Sequence, residues 1–186
     1  MVSIHTLWLP ILLSTVAVFF ASSLVWMVMP WHKTDLRGLA DDAAFADLIR
    51  RQNLTPGLYS SPYASTPEAR KSPEMAQRFE KGPVAILTVR KAGGMGMGPM
   101  LAQWAVFLLV ISVSVAYLSG RTLPPTESWI GVFRVAGTFA CFSYAAAIIP
   151  NAIFWGRPWS VAWKEVFDGF LYGLITAAIF AWFWPR

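Results

Sequence analysis

Residues Leu7–Met29 read LWLPILLSTVAVFFASSLVWMVM, a run without one acidic or basic side chain. As a helix rising 1.5 Å per residue it is about 35 Å long, enough to cross a hydrocarbon core of roughly 30 Å. A charge at the centre of such a helix costs roughly 2.5–3.5 kcal/mol on insertion, so the absence is informative. Three further apolar runs of spanning length follow, at about Leu101–Leu118, Trp129–Ile149 and Val166–Trp184. Lipid offers no hydrogen bonds, so each run must satisfy its own backbone, which a single segment does only as a helix. The sequence therefore predicts an all-α membrane protein, a bundle of four transmembrane helices.

Composition agrees with that reading. Of 186 residues, 56% are hydrophobic and only 13% charged, about half the charge density of an ordinary soluble domain. Tryptophans mark the span ends (Trp8, Trp26, Trp31, Trp104, Trp129, Trp182 and Trp184), where amphipathic rings sit at headgroup level. The net charge of +5 is clustered: ten of fifteen Lys and Arg lie between Lys33 and Lys91, beside seven acids. That is a solvated, nearly balanced segment and not a nucleic-acid stripe. A single cysteine, Cys141, excludes an internal disulfide and reads as a small core hydrophobe.

The chain divides on this reading into a first span (1–30), an extramembrane loop element (31–99) and spans two to four (100–186). No basic residue precedes the first run, and it is longer than the ~7–15 apolar residues of a signal peptide, so it reads as a retained signal anchor. Lys33, Arg37, Lys81, Arg90, Lys91, Arg157 and Lys164 fall on one side, and Arg121, Arg186 and Arg134 on the other. The positive-inside rule then puts the loop in the cytoplasm and both termini in the periplasm of a bacterial inner membrane.

The loop has local structure of its own. Asp41 is placed to cap a helix in which Phe45, Leu48 and Ile49 share a face. Thr55-Pro56-Gly57 reads as a turn, and Ser72-Pro73 as the start of a second helix that Gly82-Pro83 stops. Val84–Arg90 is rich in β-branched residues and reads as a strand, making the element a small α/β one. Between spans three and four, Pro150-Asn151 is expected to end a helix and Ser160 to cap the next.

Four features invite a functional reading. Gly169, Gly173, Ala177 and Ala181 recur at four-residue spacing, a smooth stripe against which another backbone can pack. A weaker stripe, Gly137, Cys141 and Ala145, offers a partner within the chain, and another subunit is the alternative. Arg134, Ser143, Tyr144, Asn151 and Asp168 form a candidate polar path. Arg134 and Asp168 are expected on opposite faces of the membrane, with Glu127 as the partner of Arg134 and the Asp168 carboxylate reaching the interface. Met27, Met29 and His32 close the first span while Met95, Met97 and Met100 open the second, a soft ligand set that suits Cu(I) but equally suits gap filling. Neither a haem attachment motif nor a hydrolase or zinc-protease motif occurs, and His5 and His32 stand at opposite ends of one span, so no cofactor or metal is assigned.

Three stretches carry a likeness: Pro56-Gly57-Leu58-Tyr59, Lys81-Gly82-Pro83-Val84, and FDGFLYGLITAAIFAWFWP from Phe167 to Pro185. In these the chain resembles an uncharacterised family of four-span bacterial inner-membrane proteins. The resemblance implies a bacterial membrane origin and brings no activity with it. The expected function is that of a non-catalytic accessory or assembly subunit of a larger membrane complex, electron-transfer or photosynthetic, with the lipid bilayer and partner subunits or further copies as its partners. A small-solute or ion transporter and a membrane-anchored binding module are the alternatives.

Overall fold

A computed structural model describes residues 1–93 and 96–185. Met95 of the methionine set, Gly94 and the Arg186 counted for orientation lie outside the described residues. Two compact units result, Met1–Leu36 together with Met95–Arg186, and Arg37–Gly94.

The first unit begins with α1 (Trp8–Ser23), which runs on into a π-helical turn, Leu24–Val28. In the second unit α2 (Asp42–Arg51) precedes β1 (Gly57–Ser61), then α3 (Pro67–Arg70), α4 (Pro73–Lys81) and β2 (Ala85–Val89). Back in the first unit, α5 (Met97–Thr122), α6 (Trp129–Ala145), α7 (Ile148–Trp155) and α8 (Trp159–Trp182) complete the chain. Four helical stretches are long and apolar enough to cross a membrane: Ile4–Val28, Met97–Thr122, Trp129–Trp155 and Trp159–Trp182. The fold is thus an all-α bundle of four long apolar helices, with a small two-stranded element between the first and second of them.

The spanning helices α1 and α5 are apolar over most of their surface and bury a narrow stripe. In α1 it comprises Ile11, Ser14, Val18 and Ser22, and in α5 Leu108, Ile111, Ser112, Val115 and Ser119, at the three- and four-residue steps of one face. The outward faces carry Leu12, Phe20, Val106, Phe142 and Leu174, suited to lipid. The interior is the more polar side: Ser14 Oγ meets Ser112 Oγ at 3.0 Å, and Thr176 is wholly buried. Ser14 also bonds the Pro10 carbonyl within its own helix, and its contact with Ser112 links α1 to α5.

The α6–α8 pair is the closest in the bundle. A Cβ built on Gly169 would lie 3.0 Å from the Cβ of Ala145, and one on Gly137 would lie 3.0 Å from the Cβ of Ala177. At Gly173 it would stand 2.7 Å from the Cys141 nitrogen and 2.8 Å from its Cα. The small-residue stripe of α8 therefore faces the stripe of α6 in the same chain, and Ala177 and Ala181 are buried with it. Val2 N–H donates to Gly120 O of α5 at 2.7 Å, and Trp184 Nε1 donates to Pro124 O at 3.0 Å.

Two boundaries differ from the sequence reading. Pro150 and Asn151 lie inside α7, where the first turn tolerates a proline because a backbone N–H there, which proline lacks, would have no acceptor within the helix. The break comes earlier, at Ala146-Ala147, and Gly156 in the left-handed region (φ 67°) closes α7. Ser160 is not a cap: α8 starts one residue before it, after Pro158.

In the second unit the caps lie where the sequence puts them. Asp41 Oδ1 accepts from Ala44 N at 2.9 Å and Ser72 Oγ from Met75 N at 3.2 Å. Strand β2 forms as expected. Its antiparallel partner β1, in register Gly57↔Val89 and Tyr59↔Leu87, was missed because Gly57 and two serines give it little strand propensity.

Candidate functional site

The end of the bundle where α1 finishes and α5 begins gathers most of the first unit's ionisable side chains. After the π-helical turn, Met29 is extended (ψ 144°) and Pro30–His32 make a 3-10 turn. That turn brings the His32 ring back onto Trp26, with centroids 3.9 Å apart and planes 4° from parallel. His32 Nε2 then lies 2.7 Å from Asp168 Oδ2, and Nδ1 lies 2.6 Å from Asp35 Oδ2. Lys164 Nζ donates to the other Asp35 oxygen at 2.6 Å and to the Trp31 carbonyl at 2.9 Å. Arg157 pairs with Glu165. Residues 31–36, assigned to the loop from sequence, are thus held to the spanning unit.

Asp168 is only 3% exposed and stands nine residues into α8, about 14 Å along it from Trp159. Where an interfacial carboxylate is expected, Asp168 is buried within the protein against His32. A buried carboxylate needs a partner with good geometry, or desolvation outweighs the attraction. The arrangement also fixes a proton count. Ionised carboxylates only accept hydrogen bonds, and a neutral imidazole has one N–H. Two carboxylates on one ring therefore require one further proton, held by the ring or by an acid. With it, His32, Lys164 and Arg157 balance Asp35, Glu165 and Asp168. Burial works to raise the Asp35 carboxyl, but hydrogen bonds from Lys164 and His32 outweigh it and hold the group below its ordinary 3.8.

Beside this cluster lies a cavity of about 290 Å³ to which all four spans contribute. Trp26, Trp104, Phe107, Tyr144 and Tyr172 supply aromatic walls. Glu165 and Asp168 supply carboxylates, and no basic side chain lines it. The walls brace one another: Trp104 stacks on Phe107 at 5.4 Å, Phe107 meets Tyr144 edge-on at 6.5 Å, and Tyr144 meets Tyr172 edge-on at 5.9 Å. Trp104 Nε1 donates to Ser22 Oγ at 2.9 Å, which fixes its ring. The hydroxyls of Tyr144 and Tyr172 are buried, with Thr176 and Trp26 as their nearest polar side chains. Asp168 uses one oxygen on His32 and Glu165 one on Arg157, so each has a second oxygen to offer.

Of the expected polar path, the structure brings together only Tyr144 and Asp168. Ser143 donates to Phe139 O and Asn151 Nδ2 to Ala147 O, each within its own helix. Arg134 is exposed on the flank of α6, in a groove with Leu118, Thr138 and Phe139. Glu127, its expected partner, instead accepts from the backbone N–H and hydroxyl of Ser128. Met27 and Met97 line one groove with Trp26 and Trp104, but both nitrogens of His32 face carboxylates, which removes the imidazole from the soft-metal set. No group of three His, Cys, Asp or Glu side chains placed to hold a metal ion occurs among the described residues. Sequence reasoning missed the His32–Asp168 contact and Tyr172. A usable signal existed: the histidine ending span one and the acid in span four were assigned to the same side of the membrane.

No family model, curated protein or solved structure matches the chain. Its class is set by the fold: a multi-span membrane protein of four spanning helices.

Proposed function

We propose that the protein is a non-catalytic membrane protein that binds a small ligand in the cavity between its four spans. The observation that carries this is a pocket to which all four spans contribute, whose aromatic wall carries two paired carboxylates, Glu165 and Asp168. Intramembrane carboxylates are costly and usually functional. Small-molecule sites are mostly apolar concavities with a few convergent polar groups, and this one fits that description. Its place within the spans keeps the transporter alternative open to the same site, by way of Asp168 and Tyr144 and not by way of Arg134 and Asn151.

Native mass spectrometry after gentle extraction tests the proposal. A small adduct is expected on the wild type and absent from Tyr172→Trp, in which the larger ring intrudes on the cavity. A wild type that carries no adduct, and whose melting temperature no compound of a broad metabolite panel moves, would refute it.

One observation favours the accessory-subunit reading. Arg134 is exposed on the outer face of α6, within a span, and no ion pair holds it among the described residues. A carboxylate on a neighbouring protein would complete it. Arg134→Ala should then leave the chain folded but release a protein that co-purifies with it. The cytoplasmic placement of the 31–99 loop and the bacterial inner membrane belong to the same proposal, supported by the basic residues at the span ends.

A further inference from the structure

The chemistry of the cavity points to the class of its ligand. We infer that the site takes a small organic cation bearing an ammonium group, an inference that rests on the ligand-site reading above. Aromatic faces carry negative quadrupole potential and attract ammonium groups within about 6 Å of the ring centre, more strongly when water is excluded. Here five aromatic side chains line the space, and Glu165 and Asp168, each already paired on one oxygen with Arg157 and His32, face it with their second oxygens; no basic side chain is among the described residues that line it. An anion would meet two carboxylates, with the tyrosine hydroxyls and the Trp26 indole N–H as the side-chain donors among the described lining residues. A bare metal ion would find too few oxygen or nitrogen ligands, since no suitable group of three side chains occurs among the described residues. A neutral solute would leave the second oxygens of Glu165 and Asp168 unanswered.

Size narrows the class. About 290 Å³ is at the small end of ligand sites, which run from roughly 300 to 1,000 Å³. That suits an ammonium with a short substituent and not a multi-ring compound. Selectivity follows from the wall: Trp26 and Trp104 border the space, each with one face taken by His32 or Phe107, and the carboxylates and hydroxyls can accept from the N–H or O–H groups of a methylated or primary ammonium. The ammonium could belong to a free amine or to the headgroup of a lipid, because both offer the same charge and shape.

The test uses the full chain in nanodiscs of phosphatidylglycerol, which has no ammonium group. Calorimetric titration with choline should show saturable binding, and its neutral isostere 3,3-dimethylbutan-1-ol should bind at least tenfold more weakly. Glu165→Gln, which keeps shape and removes charge, should weaken choline about tenfold while circular dichroism stays that of the wild type. Trp104→Leu should weaken it by a similar factor. Native mass spectrometry then separates the two sources: retention of phosphatidylethanolamine over phosphatidylglycerol assigns the headgroup, and displacement of a bound free amine assigns the solute. Either result supports the cation class. Equal binding of choline and its neutral isostere would overturn the inference while leaving a ligand site in place. No binding of choline, ethanolamine or retained ammonium lipid by a folded wild type would overturn it as well, and an adduct of another class would then keep the broader reading alive.

Discussion

Replacing Gly173 with alanine tests the packing that holds the site together. The added methyl would lie 2.7 Å from the Cys141 nitrogen and 2.8 Å from its Cα, against an ordinary contact of at least 3.4 Å. Relief needs a local separation of α6 and α8 of roughly 0.6–0.7 Å, the difference between those distances. The obstacle is backbone, so no rotamer change removes it. Overpacking of this kind costs about 1–3 kcal/mol, and lost contact along the rest of the pair adds to it. Gly98→Ala is the control: nothing lies within 4 Å of its added methyl, and in the first turn of α5 an alanine should be neutral or stabilise by up to about 1 kcal/mol. Unfolding in one detergent, followed by heat or by titration with a denaturing detergent, compares the two. Gly173→Ala should melt well below wild type and Gly98→Ala at or above it. If Gly173→Ala melts with the control, the close approach of α6 and α8 does not exist and the account of the bundle fails.

Other outcomes follow from the ionisable cluster and the flank. His32→Leu should cost about 3–5 kcal/mol by stranding Asp168, and the double variant His32→Leu/Asp168→Leu should recover much of that loss in the same melting assay. The Asp35 carboxyl sits below its ordinary 3.8, so its stabilising contribution is fully present above that value and is lost as pH falls through the lowered one. A melting series from pH 7 to pH 2 should therefore show a smaller loss at the acid end for Asp35→Asn than for wild type. Arg134→Ala should change the melting temperature of the isolated chain by no more than about 0.5 kcal/mol equivalent, as expected for an unpaired exposed group. A cysteine placed at Lys71, in a chain whose own Cys141 is buried, should resist impermeant maleimide on intact cells if that loop is cytoplasmic; ready labelling would reverse the orientation.

The four spans were legible because lipid turns a long apolar run into a helix almost without regard to its neighbours. Asp41 and Ser72 were legible as caps because capping acts over three residues, and β2 because its β-branched residues speak for themselves. Strand β1 was not, since GLYSS becomes a strand only by pairing with β2. The site was harder still. His32 and Asp168 are separated by 136 positions, and nothing local to either names the other. Nor does a hydropathy reading foresee that the chain after Met29 turns back to the level of Trp26. Arg134 and Glu127 failed in the opposite way: their spacing allows a pair, but the start of α6 takes the glutamate for its own exposed N–H at Ser128.

The contact between His32 and Asp168 joins the segment that follows the first of the four spans to the fourth. As the ribosome delivers the chain, α1 can settle in the bilayer long before α8 exists, and α8 is the least hydrophobic of the spans, with a mean hydropathy of 1.3 against 2.2 for the first. Its own charges make it a reluctant entrant on its own. His32 gives α8 a polar partner inside the bundle, so burying Asp168 and docking the fourth span become one event.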